Sequence, residues 1–441
     1  MSTADATEPS PPPAVMVRDL AAHVGQSVTV QGWLANRRSS GALAFLQVRD
    51  GSGTVQCVAR KKSLDADLYG ALDGLPQESS LEVWGEVKAD ERSPGGVELG
   101  VAGARIVARS GEYPISPKEH STGFLMEHRH LWLRSSRQAA TLRVRARIIK
   151  SIRDFFDSRG YVCFDAPMFT PAACEGTTTL FEVDYFGEPA YLTQSGQLYG
   201  EAGAMALGKV YVFGPVFRAE KSKTRKHLTE FWMVEPEMAY HDLEAVMDVA
   251  EEFVETIVQD CLRDCEADLV VLERDLDKLR AIKRPFPRET YEQAAARLEA
   301  GGTGFTSGSD FGAPDEEFLT AGLDKPLLVH RWPAEIKAFY MKRDAERPDL
   351  ALGVDMIAPE GYGEIIGGAQ REDDLETLEK AIETHGLPKE SFEWYLDLRR
   401  YGSVPHGGFG LGLERTVAWI CGTQHVRECI PFPRMLYKIY P

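Results

Sequence analysis

The chain has 441 residues, 43% of them hydrophobic and 27% charged, the composition of a globular protein long enough for two or more domains. A formal net charge of −17 excludes a protein that coats nucleic acid non-specifically, because clustered Lys and Arg carry affinity for phosphates, while leaving room for a specific RNA partner. No apolar run is long enough to span a bilayer, MSTADATEPSPPPAVMV lacks the basic and apolar regions of a secretory signal, and the seven cysteines form no C-x-x-C pair, so a cytoplasmic protein with reduced thiols is expected.

In chain order, residues 1–15 are rich in Pro and Ser and read as a disordered leader. From about Val17, short alternating runs punctuated by glycine follow: SVTVQGWLANRR, LAFLQVRDGSGTVQCVA, SLEVWGEVKA and GVELGVAGARIVA. Such closely spaced strands predict a small closed barrel of the OB type over residues 16–110. The first 110 residues are close to neutral, with 11 basic against 13 acidic side chains. The acidity lies further on, in runs such as DLEAVMDVAEEFVETIVQD, which predict a helix with a solvated face. Residues 111–138 mix polarity and proline and read as a hinge.

An α+β domain is expected over residues 139–441. It opens with an amphipathic helix, LRVRARIIKSIRDFFDSRG, stopping at Gly160, and a strand, YVCFDAPMF, that contains Pro167. LFEVDYF, PAYLTQSG, KVYVFGPVFRAE and HLTEFWMVEPEMAY read as strands, and helices are expected at about 242–266 and 372–387. Residues 270–325 read as helices and loops without a recognisable site. Within this domain QSGQLYGE, residues 194–201, is a polar ribbon between apolar segments. It is either an ordinary turn or a strand end whose amides and hydroxyls read a small polar ligand.

Two further stretches carry chemistry. In the first, Phe217-Arg218-Ala219-Glu220 precedes a basic loop, KSKTRKH, and a return strand, LTEFWMVEPE. A guanidinium pairs bidentately with phosphate and lysines add charge, so this hairpin suits a triphosphate, although a solvated tip has the same composition. In the second, GFGLGLER places Gly408, Gly410 and Gly412 at alternate positions, stripping one strand face so that a flat aromatic ligand can lie on the backbone, with Arg415 able to stack on it. It lacks the Lys-Ser/Thr of a P-loop.

Helix–strand–Pro, then Phe-Arg-x-Glu with a basic loop, then GxGxGxxR resembles the three ordered motifs of class II aminoacyl-tRNA synthetases. The resemblance runs from about residue 16 to 441, and the leading barrel is similar to that of the aspartate, asparagine and lysine subclass. It implies an N-terminal OB-fold β-barrel and an α+β class II catalytic domain with an antiparallel sheet and flanking helices. It also implies ATP and magnesium, a tRNA whose anticodon the barrel reads, and a homodimer built around the first motif at Pro167. In the barrel, WLANRR, LAFLQVRD and GTVQCV match the subclass pattern, so that Phe45 would stack on an anticodon base, Gln56 would bond to one, and Arg37 and Arg38 would meet phosphates or base edges. A barrel also needs core aromatics, which is the competing role for Phe45.

The resemblance also gives QSGQLYGE a meaning. The aspartate-specific relatives read QSPQLxK there, with a lysine that helps neutralise the substrate carboxylate; this chain has Gly196 and Gly200 at the proline and lysine positions. That is the asparagine pattern, and RAEKSKTRKHLTEFWMVEPE, APEGYGEIIGG and DLRRYGSVPHGGFGLGLERT resemble asparaginyl-tRNA synthetases closely. By motif position Arg371 would face the substrate side chain, Glu235 would accept from its amide, Glu175 would receive the α-ammonium, and Ser195 and Gln197 would complete the lining. Arg218 would bridge the α-phosphate and the amino-acid carboxylate, with Glu220 and His227 reaching the nucleotide and Phe231 and Arg415 enclosing the adenine. Asp355 and Glu364 would hold magnesium, though the spacing around Asp355 departs from the aspartate enzymes. The implied reaction forms asparaginyl-adenylate and passes asparagine to its tRNA. The rivals are an aspartyl-tRNA synthetase, discriminating or relaxed, opposed by Gly200 and Glu235; an ammonia-dependent asparagine synthetase, opposed by the barrel; and a non-catalytic RNA-binding module that keeps only the fold, opposed by the intact Arg218, Glu220 and Arg415.

Overall fold

A computed structural model describes residues 11–116, 118–171 and 179–441. It divides after Ser121 into two compact units.

In the first unit, β1 (Ser27–Ser40), β2 (Leu43–Arg49), β3 (Thr54–Arg60), α1 (Ala66–Asp73), β4 (Ser80–Ala89) and β5 (Val97–Ala108) follow one another, and the strands close in the order β1-β2-β3-β5-β4. Alternation decides the packing: Ala44, Leu46 and Val48 of β2 point inward and meet Val30, Val55, Leu81 and Leu99 in one apolar core. Helix α1 begins at Asp65, whose carboxylate accepts the amides of Asp67 and Leu68. The expected leader extends too far along the chain. Thr29 donates its amide to Pro13 O, and Val15 donates its own to Thr29 O, each at 2.9 Å. Proline lacks a donor but keeps its carbonyl, so a proline-rich segment can still lie along a strand.

The second unit opens with α2 (Thr122–Glu127), α3 (Arg129–Trp132) and α4 (Ser136–Asp157), followed by β6 (Val162–Cys163), β7 (Phe169–Thr170), β8 (Glu182–Tyr185) and β9 (Glu188–Leu192). Then come α5 (Gln197–Leu207), β10 (Lys209–Phe217), β11 (Glu230–Ala239), α6 (Leu243–Asp264), α7 (Glu266–Val271), α8 (Leu276–Arg280), β12 (Arg288–Thr290), α9 (Tyr291–Ala300) and α10 (Ala313–Thr320). The chain ends with β13 (Leu327–Pro333), β14 (Leu350–Ala358), β15 (Gly363–Gln370), α11 (Leu375–Thr384), α12 (Glu393–Arg400), β16 (His406–Gly412) and α13 (Leu413–Cys421). An eight-stranded sheet, β12-β13-β14-β15-β16-β11-β10-β6, is antiparallel from β13 to β10, with a parallel pair at each edge. Phe155 and Phe156 of α4, Phe253 of α6 and Trp419 of α13 belong to the core packed against it.

Two expectations for this unit need correction. Residues 122–138, assigned to the hinge, carry helices that belong to the second unit. Arg129 is 1% exposed, and its guanidinium donates to Pro431 O at 2.8 Å, Ile430 O at 2.9 Å and Gln138 Oε1 at 2.6 Å. Its mixed polarity comes from a buried cation that satisfies carbonyls, which composition cannot distinguish from a solvated linker. QSGQLYGE is also not a strand end throughout: Gly196 precedes α5, and QLYGE is the helix's first turns. Leu, Glu, Ala and Met sustain the helix while its glycines permit close packing. A Cβ at Gly200 would stand 3.1 Å from Glu237 Cγ, and one at Gly203 would stand 3.2 Å from the Phe164 ring.

Candidate active site

A cleft of about 530 Å³ lies in the second unit, walled by α5, β11 and β13–β16 together with the loops between them. At one end stand the cations read from sequence. Arg218, directly after β10, places its guanidinium 5.5 Å from the centre of the Phe231 ring on β11. Arg415, in the first turn of α13, donates to Glu364 O at 2.6 Å and to Lys226 O at 3.4 Å, tying the basic loop to β15. His227 bonds the Thr224 hydroxyl. Burial, then Arg415 and Arg218, hold its imidazole below the usual histidine range, favouring a neutral ring. Arg218, Glu220, His227, Phe231 and Arg415 all line this one cleft.

The alternate glycines are used differently from the expectation. A side chain at Gly408 would overlap the Glu237 carboxyl and Pro236 O, and one at Gly410 would come within 2.5 Å of Met233 Cε. Of the three, Gly412 alone has open space above it. At Gly408 the stripped face makes room for the Glu237 carboxylate rather than a flat ring, whereas Gly410 and Gly412 line the cleft.

Asp355 and Glu364 meet across the β14–β15 ladder. Asp355 pairs in register with Gly367, whose Cβ position is 2.9 Å from Glu364 Oε1 and 3.7 Å from Asp355 Oδ1. Any side chain there would fill the space between the two carboxylates. This glycine-cleared cradle with hard oxygen donors fits magnesium, which takes one or two carboxylates and completes its shell with phosphates and water. Among the described residues no group of three or more His, Cys, Asp or Glu side chains could hold a metal ion. Lys337 donates to Asp355 Oδ2 at 2.8 Å and lies 3.6 Å from the centre of the Trp332 ring. Burial pushes the Asp355 carboxyl up to about 7, against the pull of that ammonium.

The polar end lies between α5 and β11. Glu235 accepts the Ser195 hydroxyl and, at 2.8 Å, the Gly196 amide. Gln197, in the next turn, donates to Glu201 at 3.1 Å. Arg371 engages Glu237 through Nε at 3.2 Å and Nη2 at 2.5 Å, and both side chains line the cleft. Burial pushes the Glu237 carboxyl up to about 7, while Arg371 pulls it down. Ser195, Gln197, Glu235 and Arg371 are thus brought together; Glu175 lies outside the described residues.

Several wall residues escaped sequence reasoning. Glu237 sits two positions beyond Glu235, on the same strand face, and period-two spacing could have flagged it. Asp310, Phe311 and Glu316 come from the stretch that read as featureless, and Glu316 pairs with Lys226 of the basic loop at 3.1 Å. No local signal marks them, because their role depends on where α9 and α10 pack.

In the first unit, Arg38 lies opposite Phe45 in the β1–β2 register, its guanidinium 4.7 Å from the ring centre. Phe45 is half-buried on the outer face, between inward-pointing Ala44 and Leu46, so it is not a core aromatic. Gln56 stands beside Gln47 across β2–β3, with Nε2 3.5 Å from Ser93 Oγ. Arg37 is exposed and bonds Ser39, with Asp73 at 3.7 Å.

The profile described as tRNA synthetases class II (D, K and N) matches residues 121–436, and that of an OB-fold nucleic acid binding domain matches residues 28–107. The chain is similar to the asparagine–tRNA ligase of Sorangium cellulosum, with 59% identity over 97% of this chain and 99% of the relative. The chain belongs to the asparagine–tRNA ligase family of class II tRNA synthetases. A second member, from Desulforamulus reducens, is 57% identical over the same shares of the two chains. The fold matches the asparaginyl-tRNA synthetase of Pyrococcus horikoshii complexed with asparaginyl-adenylate, with a TM-score of 0.94, 42% identity, and coverage of 97% of this chain and 99% of that one. The asparagine–tRNA ligase family accounts for both units, the barrel as well as the cleft.

Proposed function

We propose that the chain joins asparagine to its tRNA at the expense of ATP. The observation that carries this reading is the polar end of the cleft: Glu235 is an acceptor for an amide NH2, Arg371 is already paired with Glu237, and residue 200 is a glycine without a cation. A carboxylate there would meet acids with no unpaired positive partner, whereas a neutral amide needs none.

In the first step the asparagine carboxylate attacks the α-phosphorus and pyrophosphate leaves. In the second, a hydroxyl of the terminal ribose of the tRNA attacks the acyl carbon and AMP leaves. Arg218 bridges the α-phosphate and the amino-acid carboxylate, holding them for in-line attack and stabilising charge on the phosphate oxygens. Glu220 and His227 contact the nucleotide, and Phe231 and Arg415 enclose the adenine. Glu235 and Arg371 hold the side-chain amide, with Ser195 and Gln197 orienting Glu235 and the first turn of α5, and Glu175 receives the α-ammonium. Asp355 and Glu364 would hold magnesium, which would supply positive charge to the phosphates of ATP. Phe45, Gln56, Arg37 and Arg38 form the anticodon face. The protein works in the cytoplasm as a homodimer through the surface around Pro167, where Val162, Met168 and Phe169 expose apolar side chains.

ATP–pyrophosphate exchange with asparagine and aspartate side by side tests the reading. Exchange with asparagine alone is expected; equal exchange with both would move the assignment to an aspartyl-tRNA synthetase, and release of free asparagine from aspartate and ammonia would move it to an asparagine synthetase.

A further inference from the structure

Behind the wall of the cleft lies a layer of buried charge, Glu201, Arg399 and His406, to which no role is given above and which touches the lining through Gln197. Glu201, in α5, is fully buried, and its oxygens accept the Tyr395 hydroxyl at 2.8 Å and Arg399 Nη2 at 2.7 Å, with His406 Nε2 at 3.0 Å. Neither Glu201 nor Arg399 lines the cleft. Burial alone would raise the Glu201 carboxyl, but Arg399 and His406 hold it well below the usual carboxylate range, so it is a fixed anion.

This layer is joined to Arg371 at two points. His406 O accepts the Arg371 amide at 2.9 Å, and Arg399 Nε donates to the carbonyl of the following residue, Glu372, at 2.8 Å. Two permanently charged guanidiniums, Arg371 and Arg399, therefore sit in one dry layer with two carboxylates, Glu237 and Glu201. Each guanidinium is paired with one carboxylate, and Glu235 lines the cleft beside Glu237.

We propose that Glu201 is a positioning residue for side-chain selectivity: by neutralising Arg399 it keeps Glu237 committed to Arg371, so that no uncompensated positive charge faces the substrate side chain. This inference rests on the asparagine reading and deepens it. With the Glu201 charge removed, one guanidinium in the layer loses its counter-ion and Glu237 is drawn between two cations. The field at the side-chain subsite then turns toward one that accepts a carboxylate.

The test compares kcat/KM in pyrophosphate exchange for aspartate and asparagine in the full chain. Glu201→Gln, close in shape but neutral, is expected to raise the aspartate-to-asparagine ratio at least tenfold. Glu201→Gln with Arg399→Gln, which removes the pair together, should bring the ratio back to within threefold of the parent. Tyr395→Phe removes a hydrogen bond to the same carboxylate without changing charge; it should lower the Tm and leave the ratio within threefold. An equal fall for both substrates in Glu201→Gln, or a Tyr395→Phe shift as large as that of Glu201→Gln, overturns the proposal by making the layer merely structural. If Glu201→Gln does not fold, Arg399→Gln decides: the Ki of aspartate against asparagine exchange should rise at least fivefold, and an unchanged Ki overturns the proposal. Failure of the substrate reading is visible separately, as a parent enzyme that does not prefer asparagine.

Discussion

Gly200 occupies the position at which the aspartate pattern carries lysine, and the structure gives it a neighbour the sequence could not, since its Cβ position meets Glu237 Cγ at 3.1 Å. A lysine there would run along the Glu237 side chain and compete with Arg371 for its carboxylate. Gly200→Lys is therefore expected to weaken asparagine activation and to raise the aspartate-to-asparagine ratio in pyrophosphate exchange about tenfold, or about 1.4 kcal/mol. A ratio that does not move would show that the lysine points elsewhere and that Gly200 serves packing alone. The polar end was legible where chemistry resides in residue type and local motif, as for Glu235 and Arg371. It was illegible where partners converge from distant segments: Glu237 and Arg371 are 134 positions apart, Glu201 and Arg399 198 apart, and a residue-by-residue reading gives such pairs no sign of each other.

At the level of elements, β14 and β15 show how a strand pair shapes a site by leaving something out. Gly367 keeps the space between Asp355 and Glu364 empty, so Gly367→Val should block the cradle without touching the polar end. The magnesium concentration for half-maximal exchange is expected to rise at least tenfold, while calorimetric binding of asparagine without ATP stays within twofold; loss of both would mean that the strand pair itself was disrupted. Chelation of magnesium in the parent enzyme should abolish exchange and likewise spare asparagine binding. Helix α3 makes the opposite point, because there a side chain fills a need of the backbone. Arg129→Ala leaves carbonyls of residues 430 and 431 unpaired and opens a buried cavity, so it should destabilise the second unit by about 3 kcal/mol in urea unfolding. A hinge residue would change stability by less than about 0.5 kcal/mol. Strand alternation and helix periodicity were readable at this scale; the helical nature of QLYGE was not, because two glycines in eleven residues obscure a helix whose packing demands them.

The whole molecule divides where the texture of the sequence changes, and the barrel was legible because alternation and glycine punctuation are local signals. The homodimer is an expectation that rests on motif resemblance. The apolar side chains exposed around Pro167 predict sedimentation at twice 48.9 kDa at micromolar concentration, and a stable 48.9 kDa species would remove the dimer. Pro167→Asp should dissociate the pair and lower exchange activity with it. The division into units gives the last prediction its logic. Phe45 stands on the outer face of β2 with Arg38 over its ring, and Gln56 lies beyond it on β3, so neither contributes to the barrel core and both belong to the face proposed to meet the anticodon. The cleft, with every side chain proposed to handle ATP, lies in the other unit. Phe45→Ala and Gln56→Ala should therefore weaken tRNA aminoacylation, the stacked ring contributing on the order of 1–3 kcal/mol, which is roughly a five- to 150-fold rise in the KM for tRNA. Pyrophosphate exchange without tRNA should stay within twofold of the parent, because adenylate formation needs only the second unit. Equal damage to exchange would make Phe45 and Gln56 structural residues and return the outer face of the barrel to solvent.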